Sequence, residues 1–366
     1  MMRIERMSEN FRAVLRVSIS ALGLAALLAG GNAASQTASK TSLPHAKAVT
    51  AKKPSVSRAA LPTRVLMEWK GYAASVEAVV FSPDGKIVAA GDAKGNVTLR
   101  EADTGKVTRA FRANPVSVTA IAFTPDGKRF ATGGADKTMT VWNTATGKEV
   151  YHVTIEDAYF DHVAYSPDGK ILAASGASPY DIPTNRNILL WDADTGKGRA
   201  SLIGHIGLVY SIAFSADSKF LVSASGDKTA RIWDLETGQM LHKMEWGDHT
   251  IYAAVFSPDG TKIAAGGEDR EVKLWDAEAG THLYTISTDT SIVTNLVFSA
   301  DSRRVAAVVT GQQVALWDVA SKSTVLTLPG IQKEIRAMAC SPDGKRIATG
   351  GTDKSVVLWD ISDMGK

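Results

Sequence analysis

His205, Ser223 and Asp227 fall within one short stretch of this chain, and these residue types together could perform acyl transfer. A serine hydroxyl attacks, an imidazole takes its proton and a carboxylate orients the imidazole. Asp161-His162 sets a carboxylate beside an imidazole, the beginning of a divalent-metal site. A metal-dependent hydrolase would need further carboxylate and His ligands converging on the same point. Cys340 is the single cysteine. It can form no intrachain disulfide, and as a nucleophile it would need an activating base that its sequence neighbours do not supply. No phosphate loop or nucleophile elbow accompanies any of these residues. What they do depends on the elements that hold them.

Those elements are short strands. Between Ile203 and Gly238 run Val209 to Ser215, Phe220 to Ser225 and Ala230 to Leu235, with Gln239 to Glu245 following a Thr237-Gly238 turn. Runs of this length, rich in Val, Ile, Phe and Trp and bounded by Gly, Asp and Ser, read as β-strands. The unit is a four-stranded antiparallel meander, and one such sheet cannot bury both faces alone. Its counterparts are evenly spaced. The turn beginning at Ser215 recurs at Ser82, Thr124, Ser166, Ser257, Ser299 and Ser341, with successive spacings of 42, 42, 49, 42, 42 and 42. Trp142-Asn143 and then Trp-Asp pairs at 191, 233, 275, 317 and 359 keep the same period. A period in the low forties with four strands and a terminal Trp-Asp signals a β-propeller.

At these residues the chain resembles the WD40-repeat family, from about Val65 to Ile361. The resemblance implies an all-β fold, a seven-bladed β-propeller of four-stranded antiparallel blades, occupying residues 64–366. It also implies a structural role for the Ser-His-Asp trio. Relatives often lock a blade with a buried network of His, Ser or Thr, Asp and Trp, and copy four matches it fully in His205, Ser223, Asp227 and Trp233. No catalytic residue, metal or cofactor is therefore expected. Cys340 stands where the other copies carry Phe or Tyr and reads as a small buried hydrophobe. The last copy stops after its third strand at Asp360-Ile361, while Arg64 to Trp69 resembles a fourth strand. An N-terminal strand should close the ring beside Ser355 to Trp359, which removes a lone edge. Copy six lacks the Pro and Gly of the marker turn and has Ser321-Lys322 in place of Thr-Gly; it is the least regular blade.

The first 63 residues are different material. Arg3, Arg6, Arg12 and Arg16 precede an apolar run from Val17 to Gly30, and Gly31-Asn32-Ala33-Ala34 follows. This pattern predicts a signal peptide over residues 1–33, the run being too short for a comfortable transmembrane helix. Residues 34–63 are rich in Ser, Thr, Ala, Lys and Pro and contain no acidic residue, which predicts a disordered basic linker. Residues 1–64 hold ten Lys or Arg against two Glu, which leaves −5 for the remainder of a chain whose net charge is +3. That sum argues against a nucleic-acid-binding propeller.

Three variable positions of the repeat resemble places where relatives hold their partners. Five residues before the marker turn stand Glu77, Thr119, Asp161, Tyr210, Tyr252, Thr294 and Arg336; Tyr159 and Leu208 are among those two residues earlier. Large aromatics collect on copies three to five as Tyr159, Tyr210, Tyr252 and, in the adjoining loop, Trp246. The one insertion, between Ser175 and Asn187, carries Tyr180 and Arg186 in the same sector. Insertions on one face mark a binding face, and aromatics and Arg populate interface hot spots. The expected partner surface is Tyr159, Asp161, Tyr180, Arg186, Leu208, Tyr210, Trp246 and Tyr252. The reading is a non-catalytic protein-binding scaffold, a monomeric propeller that is periplasmic or secreted and has no stable transmembrane span. Its alternatives are a propeller enzyme of the metal-dependent hydrolase type and a cell-envelope ligand binder, with an uncleaved N-terminal tether as the alternative location.

Overall fold

The computed structural model describes residues 64–155, 159–177, 187–288, 292–309, 312–330 and 332–362, all within the unit Arg64–Lys366. They form seven four-stranded antiparallel sheets, with no α-helix among them. The innermost strands of blades 1 to 7 are Val76–Phe81, Val118–Phe123, Tyr159–Tyr165, Val209–Phe214, Ile251–Phe256, Val293–Phe298 and Ile335–Cys340. Each packs beside the innermost strand of the next blade, and blade 7 returns to blade 1. The sheets thus stand around a central channel. In blade 4 the strands Val209–Phe214, Phe220–Ser225, Thr229–Asp234 and Met240–Glu245 lie within a residue of those expected from sequence.

Packing between blades explains the residue choice. The second strands carry Ala at their centres (Ala89, Ala90, Ala131, Ala173, Ala174, Ala224, Ala264, Ala265, Ala306, Ala307 and Ala348), nearly all inaccessible to water. Small side chains there let neighbouring sheets approach closely while Val, Ile and Leu fill the layer. Between blades 4 and 5, Val222, Ala224 and Ile232 meet Ile251, Ala254 and Ile263 in one cluster. Each large aliphatic buried in this way contributes about 1.5–3 kcal/mol.

Closure uses the N-terminal strand. Val65–Trp69 pairs antiparallel with Val356–Asp360, placing Val65 opposite Trp359 and Trp69 opposite Val356. Blade 7 therefore takes three strands from the C-terminal end and one from the start of the described chain. Trp69 and Tyr72 share a cluster with Val356, Leu358 and Val76, which ties the closing strand into the core between blades 7 and 1.

The marker turns form a second ring on one face. In blade 1, the Ser82 hydroxyl donates to Asp84 Oδ1 at 2.6 Å and accepts from the Ile87 amide at 2.9 Å, and Gly85 has φ +69°. Where blades 4 and 6 lose that glycine, Ser218 and Ser302 take φ +63° and +61°. A non-glycine residue there costs about 1 kcal/mol or more. Both serines recover something: the Asp168 amide donates to Ser218 Oγ and the Asp259 amide to Ser302 Oγ, each at 3.0 Å from the preceding blade.

Candidate functional site

Seven β-bulges define the inner wall. In every innermost strand the register to the second strand skips one residue: Glu77, Thr119, Asp161, Tyr210, Tyr252, Thr294 and Arg336. A bulge breaks the pairing locally and re-aims the extra side chain. The variable position read from the repeat is thus, in each blade, the residue that the bulge releases from the sheet. The connections between blades and the hairpins joining second to third strands lie together at this end: the Ala93 amide donates to the Ser75 carbonyl and the Gly226 amide to the Leu208 carbonyl, each at 2.9 Å.

Blades 3 to 5 bring most of the expected residues together. The Tyr210 and Tyr252 rings meet edge to face, with centroids 5.2 Å apart and planes at 65°. Burial raises the Tyr159 hydroxyl pKa, and so do the nearby Asp161 charge and Tyr210. Tyr252 is raised in the same way, by burial and then by Glu268. Leu208 is half-buried beside them. Tyr159 and Tyr252 are themselves 8% and 7% exposed, so each leaves only a small area open. Tyr180 and Arg186 lie outside the described residues.

Trp246 departs from expectation. Its side chain is 2% exposed and sits in the layer between blades 4 and 5, with its ring centroid 6.3 Å from that of Trp275 and Lys273 Nζ 4.1 Å above it. The loop places its backbone near the face, but the gain from burying an indole draws the ring inward. Trp246 packs the core.

Asp161 and His162 show what burial does without partners. Burial alone pushes the Asp161 carboxyl up to about 7 and the His162 imidazole down to about 4. Among the described residues, no group of three or more His, Cys, Asp or Glu is placed to hold a metal ion. Cys340, partly buried against the core of blades 6 and 7, has its thiol pushed up to about 11 by burial and then by Asp343 and Asp301. At neutral pH it is a thiol and a poor nucleophile.

The Ser-His-Asp trio forms one connected chain. Trp233 Nε1 donates to Ser223 Oγ at 2.8 Å, Ser223 Oγ lies 2.7 Å from His205 Nε2, and His205 Nδ1 lies 2.8 Å from Asp227 Oδ2. One proton arrangement satisfies every atom: indole to serine, serine to a neutral imidazole, imidazole to carboxylate. Burial lowers the His205 pKa against the pull of Asp227, in keeping with a neutral ring. Burial would raise Asp227, but hydrogen bonds from His205, Thr229 and the Ile206 amide hold it well below the usual carboxylate range. Arg231 Nη2 adds a contact at 3.2 Å. The Ser223 side chain is closed off between Trp233 and His205 and is 0% exposed. No substrate carbonyl can reach it, so the trio is structural.

Two related networks use amides in place of the imidazole. In blade 7, Trp359 Nε1 donates to Thr349 Oγ1 at 2.9 Å, Thr349 Oγ1 to Gln332 Oε1 at 2.5 Å, and Gln332 Nε2 to Ser355 Oγ at 3.1 Å. In blade 2, Trp142 Nε1 donates to Thr132 Oγ1 at 2.9 Å and Asn114 Nδ2 donates to Asp136. A search for His alone misses both. The signal is an amide 17 or 18 residues before the second-strand Thr.

The WD domain, G-beta repeat, family model matches residues 63–99, 105–143, 196–234, 238–276 and 322–360, just over half of the chain. The protein belongs to the WD40 family. The matched units are offset from the blades, each beginning near the outermost strand of one blade and ending with the third strand of the next. The first three strands of blades 3 and 6 lie outside the matches. A search for similar curated proteins gave no significant match. Propellers of this family commonly serve as protein-interaction scaffolds and are generally not catalytic.

Proposed function

We propose that the protein is a non-catalytic scaffold that holds a protein partner on the bulge face of blades 3 to 5. The observation that carries this reading is the bulge ring, in which a rigid wall releases one variable side chain per blade and sets Tyr210 against Tyr252. Rigid aromatics give large contact area with few rotors to freeze, so truncating one removes about 2 kcal/mol or more, roughly a thirtyfold loss of affinity. The test is capture of the partner, identified by co-purification, by Tyr210→Ala and Tyr252→Ala variants alongside thermal melts. Weakened capture with an intact melt is expected. Lys86→Ala and Lys345→Ala, in marker turns on the opposite face, should leave capture unchanged; loss of capture in those variants would put the surface on the wrong side.

The location proposed is periplasmic or secreted, with cleavage near Ala33 ahead of a basic linker. The basic start, the apolar run and the small residues after it support this reading. N-terminal sequencing of the mature protein decides it: a chain beginning close to Ala34 is expected, and an intact Met1 or Met2 in a cytosolic fraction overturns it.

A further inference from the structure

We propose that Tyr159, Asp161, Tyr210 and Tyr252 form a receptor for one cationic side chain, an ammonium or a guanidinium, presented by the protein partner. This inference rests on the scaffold reading and names the chemistry of what that surface takes.

The argument begins with a carboxylate that has no internal reason to be where it is. Every other aspartate at the heart of this propeller is held by donors: Asp92 by Asn96 and the Lys94 amide, Asp227 by His205, Thr229 and Arg231, Asp269 by Lys273. Asp161 has no hydrogen bond and no ion pair among the described residues, and burial is the sole influence on its ionisation. It is not sealed off either. It stands on the bulge and is partly accessible. An enclosed carboxylate without a partner is costly to ionise, and the free protein meets that cost by protonation. A cation arriving from outside would let the carboxylate ionise.

The neighbours narrow the donor to a cation. Tyr159, two residues before Asp161 on the same strand, lies close enough to feel both the Asp161 charge and Tyr210. Tyr210 and Tyr252 occupy the equivalent bulges of the next two blades and meet edge to face. Aromatic faces attract ammonium and guanidinium groups and gain most where water is excluded. A neutral amide or hydroxyl would satisfy a hydrogen bond but leave the charge uncompensated, and an anion would be repelled. Among the described residues, none is seen to supply the cation to Asp161. Of the seven bulge residues only Arg336 is basic, and it stands on blade 7 with Glu334 3.3 Å away.

The test uses purified full-length protein and three capped tripeptides, Ala-Arg-Ala, Ala-Lys-Ala and Ala-norleucine-Ala, with tetramethylammonium as a free small cation. Binding is followed by peptide NMR line broadening and titration calorimetry at pH 8. The Arg or Lys peptide should bind at least about tenfold more tightly than the norleucine peptide. Asp161→Asn should weaken that binding about thirtyfold, the usual loss when one partner of a desolvated charge pair is removed. Its melting temperature should be unchanged or raised, because the variant removes a buried charge. Asp248→Asn, at a fully exposed carboxylate (95%), should change nothing. Binding of tetramethylammonium as tight as that of the charged peptides would assign the site to a free cation and overturn the side-chain assignment. Equal binding of norleucine, equal binding by Asp161→Asn, or no binding of any cationic probe at millimolar concentration overturns the inference outright. The same variants in the capture assay separate the two readings. If Tyr210→Ala loses the partner and Asp161→Asn retains it, the scaffold stands and the cation receptor falls.

Discussion

At the scale of single residues, the chemistry suggested by His205, Ser223 and Asp227 is converted into stability by enclosure. Asp227 accepts from five donors, one of them the nearly buried Arg231. Asp227→Ala should therefore cost about 2–4 kcal/mol, the range for orphaning a buried charge and several hydrogen bonds. Asp248→Ala should cost under about 0.5 kcal/mol, as exposed changes do. Denaturant midpoints of the two variants check the contrast. The network also carries a pH signature. Burial depresses the His205 pKa in the fold, so as pH falls below about 6.5 the unfolded chain takes a proton before the folded one does. This contribution to stability is complete above that pH and is lost progressively below it, until the folded ring also protonates. His205→Gln retains an amide where blade 7 already uses Gln332. The variant should lose less stability than the parent between pH 7 and pH 5, measured as the difference between their denaturant midpoints. The His-Ser-Asp-Trp set was legible in sequence because its four members keep the repeat's spacing. Gln332 and Asn114 were not, although they stand 17 and 18 residues before Thr349 and Thr132, because an amide there replaces the imidazole by which the set is recognised.

Strands and turns were the most legible level. A Pro-Asp-Gly turn and a Trp-Asp strand end are dictated by local backbone chemistry, so the strands of blade 4 could be placed to within a residue and the other blades located by their turns. What sequence could not show is how the turns meet across blades. Ser218 and Ser302 read as losses of a favourable glycine, yet each provides an acceptor to the preceding blade. Ser218→Ala keeps the positive φ and removes that acceptor, whereas Ser218→Gly removes the acceptor but relieves the backbone. The alanine variant should thus be the less stable of the two by about 1 kcal/mol, read from their melting midpoints. The bulges were equally hidden. The seven positions five residues before the marker could be tabulated, but a register slip against the second strand has no local residue signature here, because Glu, Thr, Asp, Tyr and Arg all occupy it. Trp246 fell to the same limit: a tryptophan in a connection looks like a surface anchor until the layer that receives its ring is known.

At the scale of the whole molecule, seven blades close because one strand is borrowed from the start of the ring, and that strand was legible from arithmetic alone, seven markers against six complete blades. The aromatic cluster of blades 3 to 5 was legible only as a list of positions. Bringing Tyr210 onto Tyr252 requires the ring geometry, which no spacing encodes. Closure has a further consequence for how the propeller bears load. Val65 stands opposite Trp359, and the Asp360 amide donates to the Arg64 carbonyl at 2.7 Å, so the two ends of the ring leave blade 7 at the same end of one antiparallel pair. Tension applied between Arg64 and Asp360 pulls that pair open from its mouth, loading its ladder bonds one after another instead of all at once. A chain pulled there should part at low force, releasing Val65–Trp69 first. Pulling from residues in blades 2 and 5 sets whole sheets and their packed layers against the load, and the ring should resist far longer before it yields.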